Sequence, residues 1–560
     1  MADEPVLNEE IYDYVIVGAG SAGCVLADRL TEDGKHTVLL LENGGSDRSV
    51  FIQMPTALSI PMNMPKYTWP YRSEPEPNLN KRRVQAPRGR VLGGSSSING
   101  LVYVRGNAMD YERWESEGGA SGWGYRNVLP YFKRAEGRSG GGDEYRGAQG
   151  PLATRQGLLT NPLHEAWLQA AHEAGYPVTA DMNGFQQEGV GYMDMTVGGG
   201  RRCSAANAYL RPAMRRSNLT VRTHTLANRI VFERRRATGV RYRRGDADHV
   251  ALARREVILS CGPFNSPQLL KLSGVGPASE LADHGIPVIH DLPGVGENLQ
   301  DHLEFYFQVA SKEPITLYSQ MTPLRKALIG ARWILAKSGL GSSNHFETGG
   351  FIRSRAGIPY PDIQFHFLPM AVTYDGSSLA QEHGFQAHVG PMRSKSRGRV
   401  RLASANPLDY PRIFFNYMSH PDDWVEMRSC VRLTREIFSQ PAFNRYRGRE
   451  ILPGAQVQAD EQIDEFIKQH VETAFHPSCT CKMGRDDDPL AVVDSQTRVR
   501  GIEALRVVDS SIMPSITNGN LNAPTIMLAE KAADHILGKP LLPPSTAPYY
   551  IAPNWETLQR

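Results

Sequence analysis

Residues 12–42, YDYVIVGAGSAGCVLADRLTEDGKHTVLLLE, constrain the fold of this 560-residue chain more than any other stretch. Tyr14, Val15, Ile16 and Val17 form a short apolar run bounded by glycine, the pattern of a parallel strand buried on both faces. Gly18-Ala-Gly20-Ser-Ala-Gly23 follows, then a helical pattern carrying Val25, Leu26 and Leu30. Gly34 punctuates, and Val38, Leu39, Leu40 and Leu41 make a second buried strand that ends at Glu42. Strand, G-x-G-x-x-G, helix, strand, acid is the order a dinucleotide-binding unit requires. Gly18 permits the tight turn, Gly20 lets backbone N–H groups approach a pyrophosphate at the helix N-terminus, and Gly23 allows close helix–strand packing. Glu42 is placed to accept hydrogen bonds from an adenosine ribose. The expectation is an ADP-bearing cofactor held by Gly18, Gly20, Ser21, Ala22 and Glu42.

A nicotinamide enzyme would usually continue with further βα repeats. Here residues 50–90 carry Pro55, Pro61, Pro65, Pro70, Pro75, Pro77 and Pro87, which reads as a long non-helical excursion,. It leads into PRGRVLGGSSSING at 87–100, where successive small residues expose backbone donors suited to phosphates or the polar edge of a flat ring,. Arg88, Gly93, Gly94, Ser97, Asn99, Gly100 and Val102 are the candidate contacts from this segment. The alternative is a flexible Gly/Ser loop.

Composition excludes more than it assigns. Lys+Arg 62 against Asp+Glu 59 leaves a net charge of +3, too small an excess to argue for a nucleic-acid partner,. The 53 Gly and 38 Pro follow no Gly-X-Y period, so a collagen-like chain is excluded,. Six scattered cysteines cannot make a disulfide scaffold in a chain this long, and reduced thiols are expected,. The start, MADEPVLNEE, lacks a basic n-region and an apolar h-region, and no stretch approaches 18 uninterrupted apolar residues,. A cytoplasmic protein with no transmembrane segment is the expectation, with peripheral membrane association left open.

With these segments in view, the chain resembles the glucose–methanol–choline (GMC) oxidoreductase family, and within it the choline dehydrogenase and long-chain alcohol dehydrogenase branch. VIVGAGSAGCVLADRL, PRGRVLGGSSSINGLVYVRG, GPFNSPQLLKLSGVGP at 262–277, LPGVGENLQDH at 292–302, FHPSCTCKMG at 475–484, LRVVDSSIMP at 505–514 and GNLNAPTIMLAEKAAD at 519–534 carry the resemblance. It implies an α/β fold: a Rossmann-like FAD-binding domain with an inserted α+β substrate domain built on an antiparallel sheet. The implied division is 8–150, 200–305 and 470–540 for the FAD-binding domain, and 151–199 and 306–469 for the substrate domain. Val257–Ser260 and Leu505–Asp509 read as further buried strands of the FAD-binding sheet, with Asp509 a candidate cofactor contact. DIQFHFLP at 362–369 and GRVRLAS at 398–404 fit alternating strands of the substrate domain,.

The resemblance implies FAD and oxidation of a primary alcohol to the aldehyde by hydride transfer to flavin N5. Electrons would pass to an acceptor other than NAD: a quinone, a cytochrome or dye-like acceptor, or O2. An alcohol oxidase and a non-redox lyase on the same fold are the alternatives. Removing a hydroxyl proton suits a group titrating near neutrality, and Pro477 biases His476 towards an extended, fixed pose. The family match places the catalytic base at His476. His476, Cys479 and Cys481 form H-x-x-C-x-C, but no second Cys/His pair has zinc spacing, so no metal is expected. A Cys–His nucleophilic pair is the other competing reading.

The second catalytic position of the family falls on Asn520, with Asn522 the nearby alternative; an amide there donates to the substrate oxygen. Capping of the following helix explains the same asparagines, with Pro524 at its start. That helix N-terminus is expected to face the flavin, bringing Asn520, Asn522, Pro524 and Thr525 to the cofactor. Where some relatives carry a histidine that attaches FAD covalently, this chain has Ile98, so noncovalent FAD is implied.

Overall fold

The computed structural model describes residues 9–373 and 381–560. The N-terminal unit forms as its pattern requires: strand Glu9–Val17, helix Ser21–Thr31, strand Val38–Leu41. These strands lie in a seven-stranded sheet whose parallel part runs Leu219–Arg222, Val38–Leu41, Glu9–Val17, Ala247–Leu259, Leu505–Val507. The C-terminal half of Ala247–Leu259 pairs with Leu505–Val507, while its N-terminal half continues antiparallel into Arg236–Arg244 and Thr225–Glu233. Strands from three distant parts of the chain therefore end along one edge, and the carboxyl ends of parallel strands are where such sheets bind ligands.

Helix Asn522–Leu537 packs against Ser21–Thr31 and is buried along almost its whole length. Its buried Glu530 accepts from Arg29 (2.9 Å twice), Arg134 (2.7 Å) and Tyr209 (2.9 Å), so the charge taken out of water is fully compensated,.

A second seven-stranded sheet is antiparallel, in the order Arg447–Leu452, Leu303–Ser311, Gly384–Pro391, Ile363–Leu368, Thr348–Ile352, Gly189–Tyr192, with Glu472–Thr473 also on Leu303–Ser311. Alternation at period two divides its faces. Phe305, Phe307, Val309, Ile363, Phe365, Phe367, Phe385, Ala387 and Val389 enter a hydrophobic core under helices Pro162–Glu173 and Pro421–Ser439. Glu304, Gln308, Gln364, His366, Gln386 and His388 alternate with them and are buried as well. A polar sheet face withdrawn from solvent must find its partners inside the protein.

The structure departs from the sequence reading in several places. The strand Leu303–Ser311 runs across the expected boundary at 305, and Glu472–Thr473 joins the antiparallel sheet although it falls within 470–540. In 398–404, only Arg399–Arg401 is strand, and it pairs with Arg412–Phe414 as a separate hairpin rather than entering the large sheet. The 50–90 segment is not wholly non-helical: single turns form at Val50–Gln53 and Ser59–Met62, with a tighter turn at Pro55–Ala57, where proline occupies a first-turn position that needs no N–H,. Asn522 does not cap the last helix. It is the first helical residue, after Leu521, and its side chain points elsewhere.

Candidate active site

A cavity of about 530 Å³ lies between the edge of the parallel sheet and the polar face of the antiparallel one. Of the candidate residues, Gly18, Gly20, Ser21, Ala22, Glu42, Arg88, Gly94, Asn99, Gly100, Val102, His476, Asp509, Asn520, Asn522 and Thr525 line it; Gly93, Ser97 and Pro524 do not. Gly93 and Ser97 shape the loop from behind. Gly93 N donates to Ala19 O at 2.8 Å and Ser97 Oγ to Leu92 O at 2.7 Å.

The cofactor end is built by close backbone approach. Gly18 sits at φ +98, and a Cβ on Gly23 would lie 1.9 Å from Gly18 O, so the turn and the helix contact both demand glycine,. Gly94 is pressed against Gly20, where a Cβ would come within 2.7 Å of the Gly20 Cα. Buried Arg202 holds the loop by donating to the carbonyls of Ile52, Ser96 and Asn99 and to Asn99 Oδ1. The N-termini of Ser21–Thr31 and Asn522–Leu537 converge here, tied by Ser21 Oγ donating to Asn522 Oδ1 at 2.8 Å. Two positive helix ends facing one space favour an anion.

Glu42 accepts from Ala19 N (2.9 Å) and Gly44 N (2.7 Å), and burial pushes its carboxyl up to about 7. Ser260 Oγ, buried on the cavity wall, has no hydrogen-bond partner among the described residues. A buried carboxylate and an orphaned hydroxyl are groups that a ligand rich in hydroxyls and phosphates would satisfy, so the residues present fit FAD. Asp509 is occupied within the protein: it takes Gly262 N (2.9 Å), Ser266 Oγ (2.6 Å) and Ser511 N (2.8 Å), stapling strand ends on the cavity wall. Ile98 lines the cavity with a side chain that offers no nucleophile for a covalent link.

At the other end, His476 is held on both sides of its backbone. Asp301 Oδ1 accepts from His476 N at 2.8 Å, and Arg88 Nη1 donates to Phe475 O at 2.8 Å, with Phe475 itself at φ +64. Asp301 is fixed in turn by Tyr417 OH at 2.6 Å and by the Thr473 hydroxyl. The ring joins a chain: His302 Nε2 lies 3.1 Å from Met392 O, His302 Nδ1 lies 3.0 Å from His476 Nδ1, and His476 Nε2 lies 3.1 Å from Asn520 Nδ2. The direction of this chain follows from its ends. A carbonyl only accepts, so His302 Nε2 carries a proton and its Nδ1 is a lone pair. His476 Nδ1 must then donate, which leaves His476 Nε2 as the acceptor. Asn520 agrees, because Gln364 Nε2 donates to its Oδ1 at 3.2 Å and turns its NH2 towards His476.

Electrostatics keep this cluster uncharged. Burial pushes His476 well below the usual imidazole range, with His302, His366 and Arg88 adding repulsion. Burial likewise lowers His302 to about 3 and His366 to about 4. A neutral His476 whose Nε2 lone pair meets only the Asn520 amide on the cavity wall can take a proton once a ligand displaces that amide,. The thiol reading fares differently: burial pushes Cys479 up to about 12, so it stays a protonated thiol. Among the described residues no cluster of His, Cys, Asp and Glu is arranged for a metal ion.

Asp301, His302, Glu304, Gln364, His366 and Arg202 received no site role from the sequence. Asp301 and His302 lie in the LQDH stretch, within a segment that carried the resemblance, so its position was visible and its job was not. His366 stands inside the strand DIQFHFLP, where alternation alone places it on the face opposite the phenylalanines.

Two GMC oxidoreductase family models match residues 12–304 and 394–529. The chain is 58% identical over 548 residues to an oxygen-dependent choline dehydrogenase of Brucella anthropi, covering 98% of this chain and 100% of that one. It is also 58% identical over 551 residues to an oxygen-dependent choline dehydrogenase of Photobacterium profundum (98% and 97%). Among solved structures it resembles pyridoxine 4-oxidase from Mesorbium loti, with TM-score 0.85 and 30% identity over 93% of this chain and 98% of that one. Formate oxidase superposes with TM-score 0.89 at 26% identity, over 95% and 99%. The chain belongs to the GMC oxidoreductase family, on its choline dehydrogenase branch, and is an FAD-dependent oxidoreductase acting on CH–OH donors.

Proposed function

We propose that this chain oxidises choline, a primary alcohol bearing a fixed cation, to its aldehyde, passing electrons to an acceptor other than NAD. FAD, held in the cavity by the glycine turn at Gly18 and Gly20 and by Glu42, would supply the two-electron acceptor for the hydride leaving the alcohol carbon. The observation that carries the reading is the tautomer imposed on His476: the chain from Met392 O leaves Nε2 as a lone pair beside the Asn520 NH2. The alcohol hydroxyl takes the place of the Asn520 N–H at His476 Nε2 and gives its proton there, while the freed Asn520 NH2 donates to the alcohol oxygen and orients it,. As the ring becomes imidazolium, its Nδ1–H bond to His302 strengthens, because charge-assisted hydrogen bonds are the strong ones. Asp301 and Arg88, by pinning the peptide groups on either side of His476, hold the ring where the substrate must meet it.

Glu304 supports a cationic substrate. It lines the cavity, is buried, and is oriented by His388 Nδ1 at 3.1 Å from Oε1. Phe346, edge-on to His366 at 5.9 Å, lines the same region and offers a ring to an onium group,. The relatives named as choline dehydrogenases point to the same substrate.

The test is anaerobic mixing of FAD-loaded protein with choline and with 3,3-dimethylbutan-1-ol, in which carbon replaces the cationic nitrogen. Choline should bleach the flavin at far lower concentration, and Glu304→Gln should erase most of that preference, about 10-fold or more for loss of a buried charge partner. Equal use of the two alcohols by the wild type would refute the cationic site. Failure of every primary alcohol to bleach the flavin would refute the oxidation itself.

A further inference from the structure

Helix Pro323–Ala336 is built inside out. Of its fourteen residues only Trp333 is buried, anchored by its Nε1 donating to Gly200 O at 2.7 Å. Leu324, Leu328, Ile334 and Leu335 are 72%, 61%, 56% and 87% exposed. With Ala327 and Ala331 they follow the i, i+3, i+4, i+7 spacing and fall within an arc of about 120° at 3.6 residues per turn. The apolar stripe of an amphipathic helix normally faces the core; this one faces away from it.

The charge around the stripe is one-sided. Arg325 and Arg332 border one edge of the stripe, Lys326 and Lys337 lie towards the Trp333 side with Lys337 Nζ over the Trp333 ring, and from residue 314 to 346 the chain carries no Asp or Glu,. A second copy of this helix would bring the same cations to the contact and repel. A surface that is apolar within and anionic at its boundary complements both features.

The helix also sits beside the wall of the cavity. It leads into the turn Gly339–Ser342, which packs on Pro55–Ala57, and His345 Nε2 lies 2.8 Å from Thr56 Oγ1. Val50, Phe51 and Ile60 are exposed on that neighbouring segment, while Leu58 and Met62 line the cavity. No helix among the described residues is long and apolar enough to cross a membrane.

We propose that Pro323–Ala336 docks the protein on the surface of an anionic lipid bilayer, its leucine stripe in the acyl boundary and its cations at the headgroups. The proposal is independent of the alcohol the enzyme uses. The test is flotation of the FAD-loaded full chain with vesicles of phosphatidylcholine alone and of phosphatidylcholine with phosphatidylglycerol. Binding should require the anionic lipid and weaken at high salt.

Leu328→Asp with Leu335→Asp should abolish binding. Arg325→Glu with Arg332→Glu should weaken it by at least about 25-fold, at roughly fivefold per charge near an anionic surface. Both variants should keep their FAD and their turnover with a soluble dye acceptor, because the helix touches no catalytic residue. A wild type that stays with the soluble fraction, or aspartate variants that float as the wild type does, would overturn the proposal. So would a wild-type dimer that ignores vesicles and dissociates in the aspartate variant, since the stripe would then be an interface between two copies.

Discussion

Replacing His302, a residue that need never touch the substrate, tests the role proposed for His476. In His302→Leu the acceptor for His476 Nδ1–H, now 3.0 Å away, is lost, and the ring is free to adopt either tautomer. Two costs follow. The neutral ring loses one hydrogen bond, worth about 0.5–1.5 kcal/mol, and with it the bias that keeps Nε2 unprotonated. The imidazolium formed on proton transfer loses a charge-assisted bond, worth about 1.5–3 kcal/mol. Both terms describe one bond before and after charge develops, so only their difference, about 1–1.5 kcal/mol, raises the barrier: about 5- to 13-fold slower proton and hydride transfer.

The assay is anaerobic stopped-flow bleaching of the flavin at saturating choline, with FAD content and the oxidised spectrum as controls for folding. The limiting reduction rate should drop by that factor while the concentration giving half-maximal rate moves little. His302→Gln, whose amide oxygen can accept from Nδ1–H, should recover most of the loss. If His302→Leu retains FAD and reduces at the wild-type rate, or if His302→Gln is as slow as the leucine variant, the imposed tautomer is not what makes His476 the base.

Removing the proposed base, in His476→Ala, should leave FAD bound and slow flavin reduction by about 10²–10⁴-fold; full activity would reject that role. Because burial lifts Glu42 to about 7 from an ordinary carboxylate value, the native apoprotein binds more protons than the unfolded chain between roughly pH 4.5 and 7,. Its stability therefore falls as pH rises through that window, by about 3 kcal/mol from this residue, and Glu42→Gln should flatten that part of the difference in apoprotein Tm between pH 5 and pH 8. Gly23→Ala should abolish FAD binding or folding, since its methyl would lie 1.9 Å from Gly18 O. Gly330→Ala, with open space around it in an exposed helix, should raise the Tm slightly, by up to ~1 kcal/mol of stability,.

The parallel sheet was legible because its central strands are buried on both faces and so read as unbroken apolar runs, Val15–Val17, Val38–Leu41 and Val257–Leu259, with Leu505–Val507 interrupted only by Arg506. Leu219–Arg222 was missed for the complementary reason. As an edge strand it buries only Leu219 fully, and LTVR offers neither a run nor a clean alternation. The antiparallel pair Thr225–Glu233 and Arg236–Arg244 is half-exposed and rich in arginine, which resembles loop in any local window. Gly93 and Ser97 lie behind the residues of their loop that line the cavity. Their backbone is as constrained as a cofactor contact would be, yet they serve the loop's own packing.

The half of the site that local sequence could not reveal has a single physical origin. In Leu303–Ser311, Ile363–Leu368 and Gly384–Pro391 a hydrophobic residue alternates with Glu, Gln or His, which is the pattern of a sheet with one wet face,. Here the second face is covered by another part of the same chain, so Glu304, Gln364 and His366 are buried where alternation predicts exposure. Each such group costs free energy unless it is partnered. His388 Nδ1, 3.1 Å from Glu304 Oε1, offsets the cost there, while Gln364 and His366 bond to each other and to Asn520 and so fix the amide that faces His476. Polarity at these positions is thus a property of the contact between two sheets that are distant in sequence. It follows from the pairing of the strand Glu472–Thr473, just upstream of His476, with Leu303–Ser311, which brings His476, the Glu304 carboxylate and the Asn520 amide to one wall.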